Sequence, residues 1–275
     1  MSEQQSKPAV IQAELILKYK KYINPHYIRV TLTGDDVPKF AEVTVGVNNK
    51  IFIPPAGVEQ VYFPEFDYEK GTWNHPPEAL RPIVRTYTHR GIDLERKEMI
   101  IDFVAHGDQG PASAWAINAR PGDKLGVAMK AKTSHLFPEA DWYLLVADAT
   151  GIPVIAAILE QLPATASGVV FIEVHDKAEE QDLSTKADMQ INWLHHPNPG
   201  ENTVLYDAVR ELILPELPTT RFGYVAAEYN AVRDVRQYLR KERGWTLNEL
   251  YAYAYWTYGI TEDGSVQSRQ QEQKS

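Results

Sequence analysis

The sequence predicts an antiparallel β-barrel followed in the same chain by an α/β domain built on a parallel sheet. Three observations carry that expectation. The first half is a succession of short segments rich in β-branched and aromatic residues, with no helix between them. After Phe137-Pro138 the pattern turns to near-continuous apolar runs alternating with helical stretches. The 275 residues, 44% of them hydrophobic, are enough for two separate cores.

The barrel strands are expected at 10–17, 27–33, 50–53, 58–63, 83–89 and 98–105, separated by Gly, Pro, Asn and Asp. Between Pro64 and Pro82, Gly71, His75-Pro76-Pro77 and several charges suggest an excursion over the surface. A first helix is expected over 110–117, with Pro111 in the first turn where a missing N–H costs nothing, and a strand follows at 124–128. In the second half, strands are expected at 142–147, 169–174, 222–227 and 250–256, and helices at 152–162, 204–214 and 231–243. Ligands on such sheets sit at the carboxyl ends of the strands. The polar ends, residues 1–7 and 262–275, are expected to be loosely attached.

Composition removes several functions. The chain has no cysteine, so disulfides, thiol nucleophiles, Cys-ligated zinc and iron–sulfur clusters are excluded and redox chemistry needs an organic cofactor. A net charge of -9 argues against nucleic-acid binding. The opening residues carry no basic or apolar run, and stretches such as 152–159 are too short to span a bilayer, so a soluble cytoplasmic monomer without membrane partners is expected. His195-His196-Pro197 lacks a third ligand and reads as loop, so no metal site is expected. Tyr251, Tyr253 and Tyr255 alternate with alanines as in a strand with one aromatic face, and the acidic run 179–182 reads as a solvated turn.

Two segments match what a flavin nucleotide requires. In Arg85-Thr86-Tyr87-Thr88 the period of two sends Arg85 and Tyr87 to one face, giving a cation beside a stacking aromatic. Further on, Gly110-Pro111-Ala112-Ser113 opens a helix with small residues whose free amides can face a pyrophosphate.

Arg85-Thr86-Tyr87-Thr88-His89-Arg90, Asp102-Phe103-Val104-Ala105-His106-Gly107, Gly110-Pro111-Ala112-Ser113 and Ala227-Glu228 with the later Arg233 and Arg240 together resemble the FAD-binding siderophore-interacting proteins. These are ferric-siderophore reductases of the ferredoxin-reductase superfamily, and the resemblance runs from about residue 10 to Gly259. It implies a FAD-binding barrel over 8–138, an NAD(P)H-binding α/β domain over 139–260 and a polar tail at 261–275. It also implies that Arg85, Thr86, Tyr87, Thr88, Asp102, Val104, His106, Gly110, Ala112 and Ser113 bind FAD non-covalently. Asp148 and Thr150, in Asp148-Ala149-Thr150-Gly151-Ile152-Pro153, are implied beside flavin and nicotinamide, as is Trp256 in Tyr255-Trp256-Thr257-Tyr258-Gly259. Ala149 stands where the family has Glu, and the basic pair often found near Trp256 is missing.

The chemistry agrees with that resemblance. A hard ferric ion in an oxygen cage is held tightly and the ferrous ion much less so, which makes reduction a release step. A flavin joins a two-electron hydride donor to a one-electron acceptor, so no catalytic side chain is needed. Lys50, Arg90, Lys130 and Lys132, together with His89, are the candidates for attracting an anionic ferric siderophore, Lys50 first by resemblance. Acidic groups in Glu173-Val174-His175-Asp176-Lys177 would hydrogen-bond ribose hydroxyls and repel a 2′-phosphate, which favours NADH over NADPH as donor. The competing readings are a general NAD(P)H-dependent flavin or quinone reductase of the same superfamily, and a non-enzymatic flavin-containing protein that binds siderophores.

Overall fold

A computed structural model of the chain describes residues 9–67, 70–108, 110–215 and 220–260. The expected loose ends, the tail at 261–275 and Gln109 lie outside the described residues. The chain divides into two compact units after Leu136. Among the described residues no helix is long and apolar enough to cross a membrane.

The first unit contains β1 (Val10–Asn24), β2 (Tyr27–Thr33), β3 (Asn48–Ile53), a small hairpin of β4 (Glu65–Asp67) and β5 (Thr72–Asn74), β6 (Ile83–Thr88), β7 (Gly91–Asp93), β8 (Glu98–Val104), α1 (Pro111–Asn118) and β9 (Lys124–Lys130). Seven of these strands form one antiparallel sheet in the order β6-β3-β9-β1-β2-β8-β7. β1 is longer than expected because its first half pairs with β9 and its second half with β2. Register shifts between Leu17 and Tyr19 and between Tyr22 and Asn24 interrupt its pairing with β2. The sheet curls far enough that Tyr87 on β6 touches Phe103 on β8, five places away in strand order. The curl encloses a single core that includes Leu15, Leu17, Ile28, Val30, Leu32, Ile51, Met99, Ile101 and Phe103, with Ala112 and Ala116 of α1 against it.

One expected strand is absent. Residues 58–63 run as loop between Pro55 and Pro64, and their apolar side chains Val61 and Phe63 pack on Phe52, Val84 and Ala128 on the outer side of the sheet. Gly126 makes this possible, since a Cβ there would stand 2.7 Å from Val61 and 2.9 Å from Phe63. The excursion between Pro64 and Pro82 carries the β4–β5 hairpin.

The second unit contains β10 (Trp142–Asp148), α2 (Ile152–Gln161), β11 (Ser167–Val174), β12 (Asp188–His195), α3 (Leu205–Glu211), β13 (Arg221–Glu228), α4 (Tyr229–Gln237) and β14 (Leu250–Trp256). All pairs are parallel, in the order β12-β11-β10-β13-β14. The order reverses between β10 and β13, and their carboxyl ends mark the crevice where such sheets bind ligands. Leu144, Val146, Val225 and Ala227 face α3 and α4 in one core. Ala147, on the alternate face of β10, lies against the start of α2. A Cβ on Gly151 would sit 2.2 Å from the carbonyl oxygen of Ala226, so only glycine lets α2 begin so close to β13.

Two elements differ from expectation here. β12 is an additional edge strand, which places His195 on a strand end instead of in a loop. The helix expected over 231–243 begins at Tyr229 and widens into a π turn at Tyr238–Glu242.

Candidate functional site

In the barrel unit, β6 carries Arg85 and Tyr87 on the same face as their cross-strand partners Ile51 and Asn49, which is the core side. Tyr87 is half-buried with its ring 4.5 Å from Phe103, and Phe103 lies 5.8 Å from Trp115 of α1. The tyrosine therefore rests on an aromatic bed that fixes its plane. Arg85 donates from Nη1 to the Val84 carbonyl at 2.8 Å. Thr86 accepts from the Lys50 ammonium across the β3–β6 ladder, and Thr88 is buried at the strand end.

Asp102 has a structural role that its place in the motif does not reveal. Its carboxylate is buried and takes a two-pronged ion pair from Arg29, Nε to Oδ1 and Nη2 to Oδ2 both at 2.8 Å. Arg90 stands 3.7 Å away with its side chain 12% exposed, and the buried Tyr27 hydroxyl donates to Oδ2 at 3.4 Å. The candidate cation Arg90 is thus engaged with a carboxylate of its own unit. Val104 ends β8 opposite Tyr27, and the chain turns from there into His106 and Gly107.

The loop before α1 is held by Ser113. Its hydroxyl donates to the Gly107 carbonyl at 2.6 Å and accepts from the His106 amide at 3.1 Å. The side chain implied at the pyrophosphate thus also shapes the loop. The amides of Ala112 and Ser113, in the first turn of α1 behind Pro111, have no acceptor within the helix and are the donors a phosphate would meet. Gly110 leaves room for the His106 ring, which would have to shift for a Cβ 2.6 Å from its Cε1. A bare glycine, two helix-start amides and a supported aromatic fit a flavin dinucleotide.

Lys50, Lys130 and Lys132 are all exposed. Lys50 pairs with Ala128, two residues before Lys130, so both lysines leave the β3–β9 ladder on the same side. Lys132 follows in the turn, its amide bonded to the Lys130 carbonyl at 2.8 Å.

In the α/β unit, Asp148 ends β10 and is buried. Its Oδ1 accepts from the Thr150 amide at 2.8 Å and the Thr150 hydroxyl at 2.5 Å, while Oδ2 accepts from the Glu228 amide at 2.8 Å and the Trp256 indole at 2.7 Å. Burial pushes its pKa up, the donated bonds oppose this, and Glu173 adds repulsion. The other edge of the Trp256 indole lies close over Gly200, where a Cβ would stand 2.4 Å from Cη2. Gly200 has φ +95, where glycine alone is unstrained.

Glu173 and Glu228 repeat the pattern at the ends of β11 and β13. Glu173 accepts from the Thr203 hydroxyl at 2.7 Å and the Val204 amide at 2.8 Å, and Glu228 accepts from the amides of Asn230 at 2.5 Å and Tyr258 at 3.1 Å. Both are buried, so Glu173 is not the open ribose partner the sequence suggests. The exposed acid after β11 is Asp176, which caps the Ala178 amide at 2.7 Å. Sequence reasoning missed Arg29, Tyr27 and Gly200. Arg29 had a signal, a cation inside the otherwise apolar Tyr27-Ile28-Arg29-Val30, while Gly200 had none.

A barrel with a supported tyrosine and an anion-ready helix start, followed in sequence by a parallel sheet with its switch point at β10 and β13, has the architecture of the ferredoxin-reductase-like fold. Fold comparison agrees. The structure of a ferredoxin NADP+ reductase from Neisseria gonorrhoeae superposes with a TM-score of 0.57 at 14% identity, over 89% of this chain and 98% of that one. Residues 16–131 match the siderophore-interacting FAD-binding domain and residues 140–259 the siderophore-interacting protein domain. A ferric vibriobactin reductase, ViuB of Vibrio cholerae serotype O1, is 35% identical over 251 residues, 91% of each chain. A siderophore utilization protein from T. fusca has a crystal structure with TM-score 0.82 and 31% identity, covering 93% of this chain and 96% of that chain. The chain belongs to the siderophore-interacting protein family.

Proposed function

We propose that the protein is a FAD-dependent reductase of ferric siderophores that draws its electrons from NADH or NADPH, with FAD assigned to residues 8–138 and the nicotinamide nucleotide to 139–260. The observation that carries this is the meeting of Tyr87, on its Phe103 bed, with the free amides of Ala112 and Ser113 in one unit of a chain 35% identical to a ferric vibriobactin reductase. FAD, when bound, supplies the conversion between a hydride donor and a one-electron ferric acceptor.

The chain's own residues do the holding and orienting. Tyr87 offers a flat apolar contact of fixed tilt, and the amides of Ala112 and Ser113 bind phosphate oxygens through the main chain. Arg85 adds charge on the Tyr87 face of β6. Lys50, Lys130 and Lys132 give a local positive surface on a protein of net charge -9, which draws an anionic chelate. Thr150 and Trp256, both tied to Asp148, stand where a nicotinamide is expected at the end of β10. The preference for NADH rests on Asp176, the exposed carboxylate beyond β11.

Anaerobic addition of NADH to the FAD-loaded protein should bleach the flavin's visible band, and a ferric siderophore should restore it while a ferrous-specific chelator captures the metal. A band that NADH and NADPH both leave unchanged would reject the nicotinamide donors. A reduced protein that reacts with free flavin or quinone but not with ferric chelates would reject the siderophore.

A further inference from the structure

Lys20 lies far from every motif in the sequence, yet it reaches α1. From the second half of β1 its ammonium donates to the carbonyls of Ala116 at 2.9 Å and Ile117 at 2.6 Å, two carbonyls in the last turn of the helix that have no acceptor role inside it. The other end of α1 is fixed by the Ser113 hydroxyl. The helix is therefore held by side chains at both ends. Its eight residues span only about 12 Å, so a side chain that holds one end also limits where the amides at the other end can point.

We propose that Lys20 is a positioning residue for the diphosphate of the bound dinucleotide. By holding the carboxyl end of α1 through its last carbonyls, it keeps the amides of Ala112 and Ser113 at the other end in place. The proposal rests on the barrel being the FAD site, and it concerns the phosphates, not the ring.

The test compares dissociation constants for FAD and for riboflavin, which has the ring and no phosphate, in the wild type, Lys20→Met, Lys20→Gln and Lys20→Arg, read by quenching of flavin fluorescence. The Met and Gln variants should bind FAD roughly fivefold more weakly with riboflavin affinity unchanged, and Arg should restore FAD binding. Unchanged riboflavin binding also reports an intact fold. Equal losses for both ligands, or no loss for either, would overturn the role of Lys20. A wild type that binds FAD no better than riboflavin would instead overturn the reading of the barrel as a dinucleotide site, and the proposal with it.

Discussion

Replacing His89 by leucine should remove much of the acid sensitivity of the barrel unit. His89 follows β6 and is fully buried, and neither ring nitrogen has a hydrogen-bond partner among the described residues. Loss of water lowers its pKa from 6.5 to about 4. For a base whose folded pKa is depressed, the unfolded chain binds more protons between the two values. Stability is therefore complete above about pH 6.5 and drains away as the pH falls toward 4. The gap corresponds to about 3 kcal/mol at full protonation, of which about 2 kcal/mol is lost between pH 7 and pH 5. Leucine has similar bulk, cannot take up a proton and leaves no orphaned nitrogen, so the variant should match or exceed the wild type at pH 7. Urea titrations at both pH values, followed by hydrogen exchange in peptides of β6 and β8, measure the difference. Other groups contribute alike to both proteins. If His89→Leu loses as much stability as the wild type between pH 7 and pH 5, the buried neutral histidine is refuted.

Asp102→Asn should cost about 3 kcal/mol, because it strands the guanidinium of Arg29 beside a neutral amide, and urea unfolding of the barrel unit would register it. Gly151→Ala should destabilise the α/β unit by more than about 2 kcal/mol, since the new methyl would overlap the Ala226 carbonyl, and a lower melting temperature would show it. Asp148→Asn should turn an amide donor toward either the Thr150 pair or the Glu228 amide and Trp256 indole, lowering stability by about 2 kcal/mol. In that variant a change in the near-ultraviolet dichroism of tryptophan is expected if the indole is released.

Most strands of the α/β unit could be read from the sequence because parallel strands buried on both faces leave continuous apolar runs, as in Tyr143-Leu144-Leu145-Val146-Ala147. β12 escaped because it lies at the edge, where Asp188, Gln190, Asn192 and His195 interrupt the apolar pattern. The opposite error at 58–63 has a related cause: alternation marks one apolar side of an extended segment but does not say whether a ladder exists for it to join. Arg85, Tyr87 and the glycine-led start of α1 were legible because each motif is short and local. What those motifs' polar side chains bond to was not. Ser113 reaches back to Gly107, Asp102 across to Arg29, and Asp148 to Trp256, more than a hundred residues along the chain.

Because the Ser113 hydroxyl already has a donor and an acceptor within its own loop, α1 itself would offer an anion backbone amides in place of that side chain. Backbone cannot be altered one side chain at a time, so such a grip tolerates drift in sequence as long as the loop keeps its shape. Side chains that shape the loop without supplying the grip, the Ser113 hydroxyl foremost, would then be the vulnerable ones in a saturation screen for lost flavin.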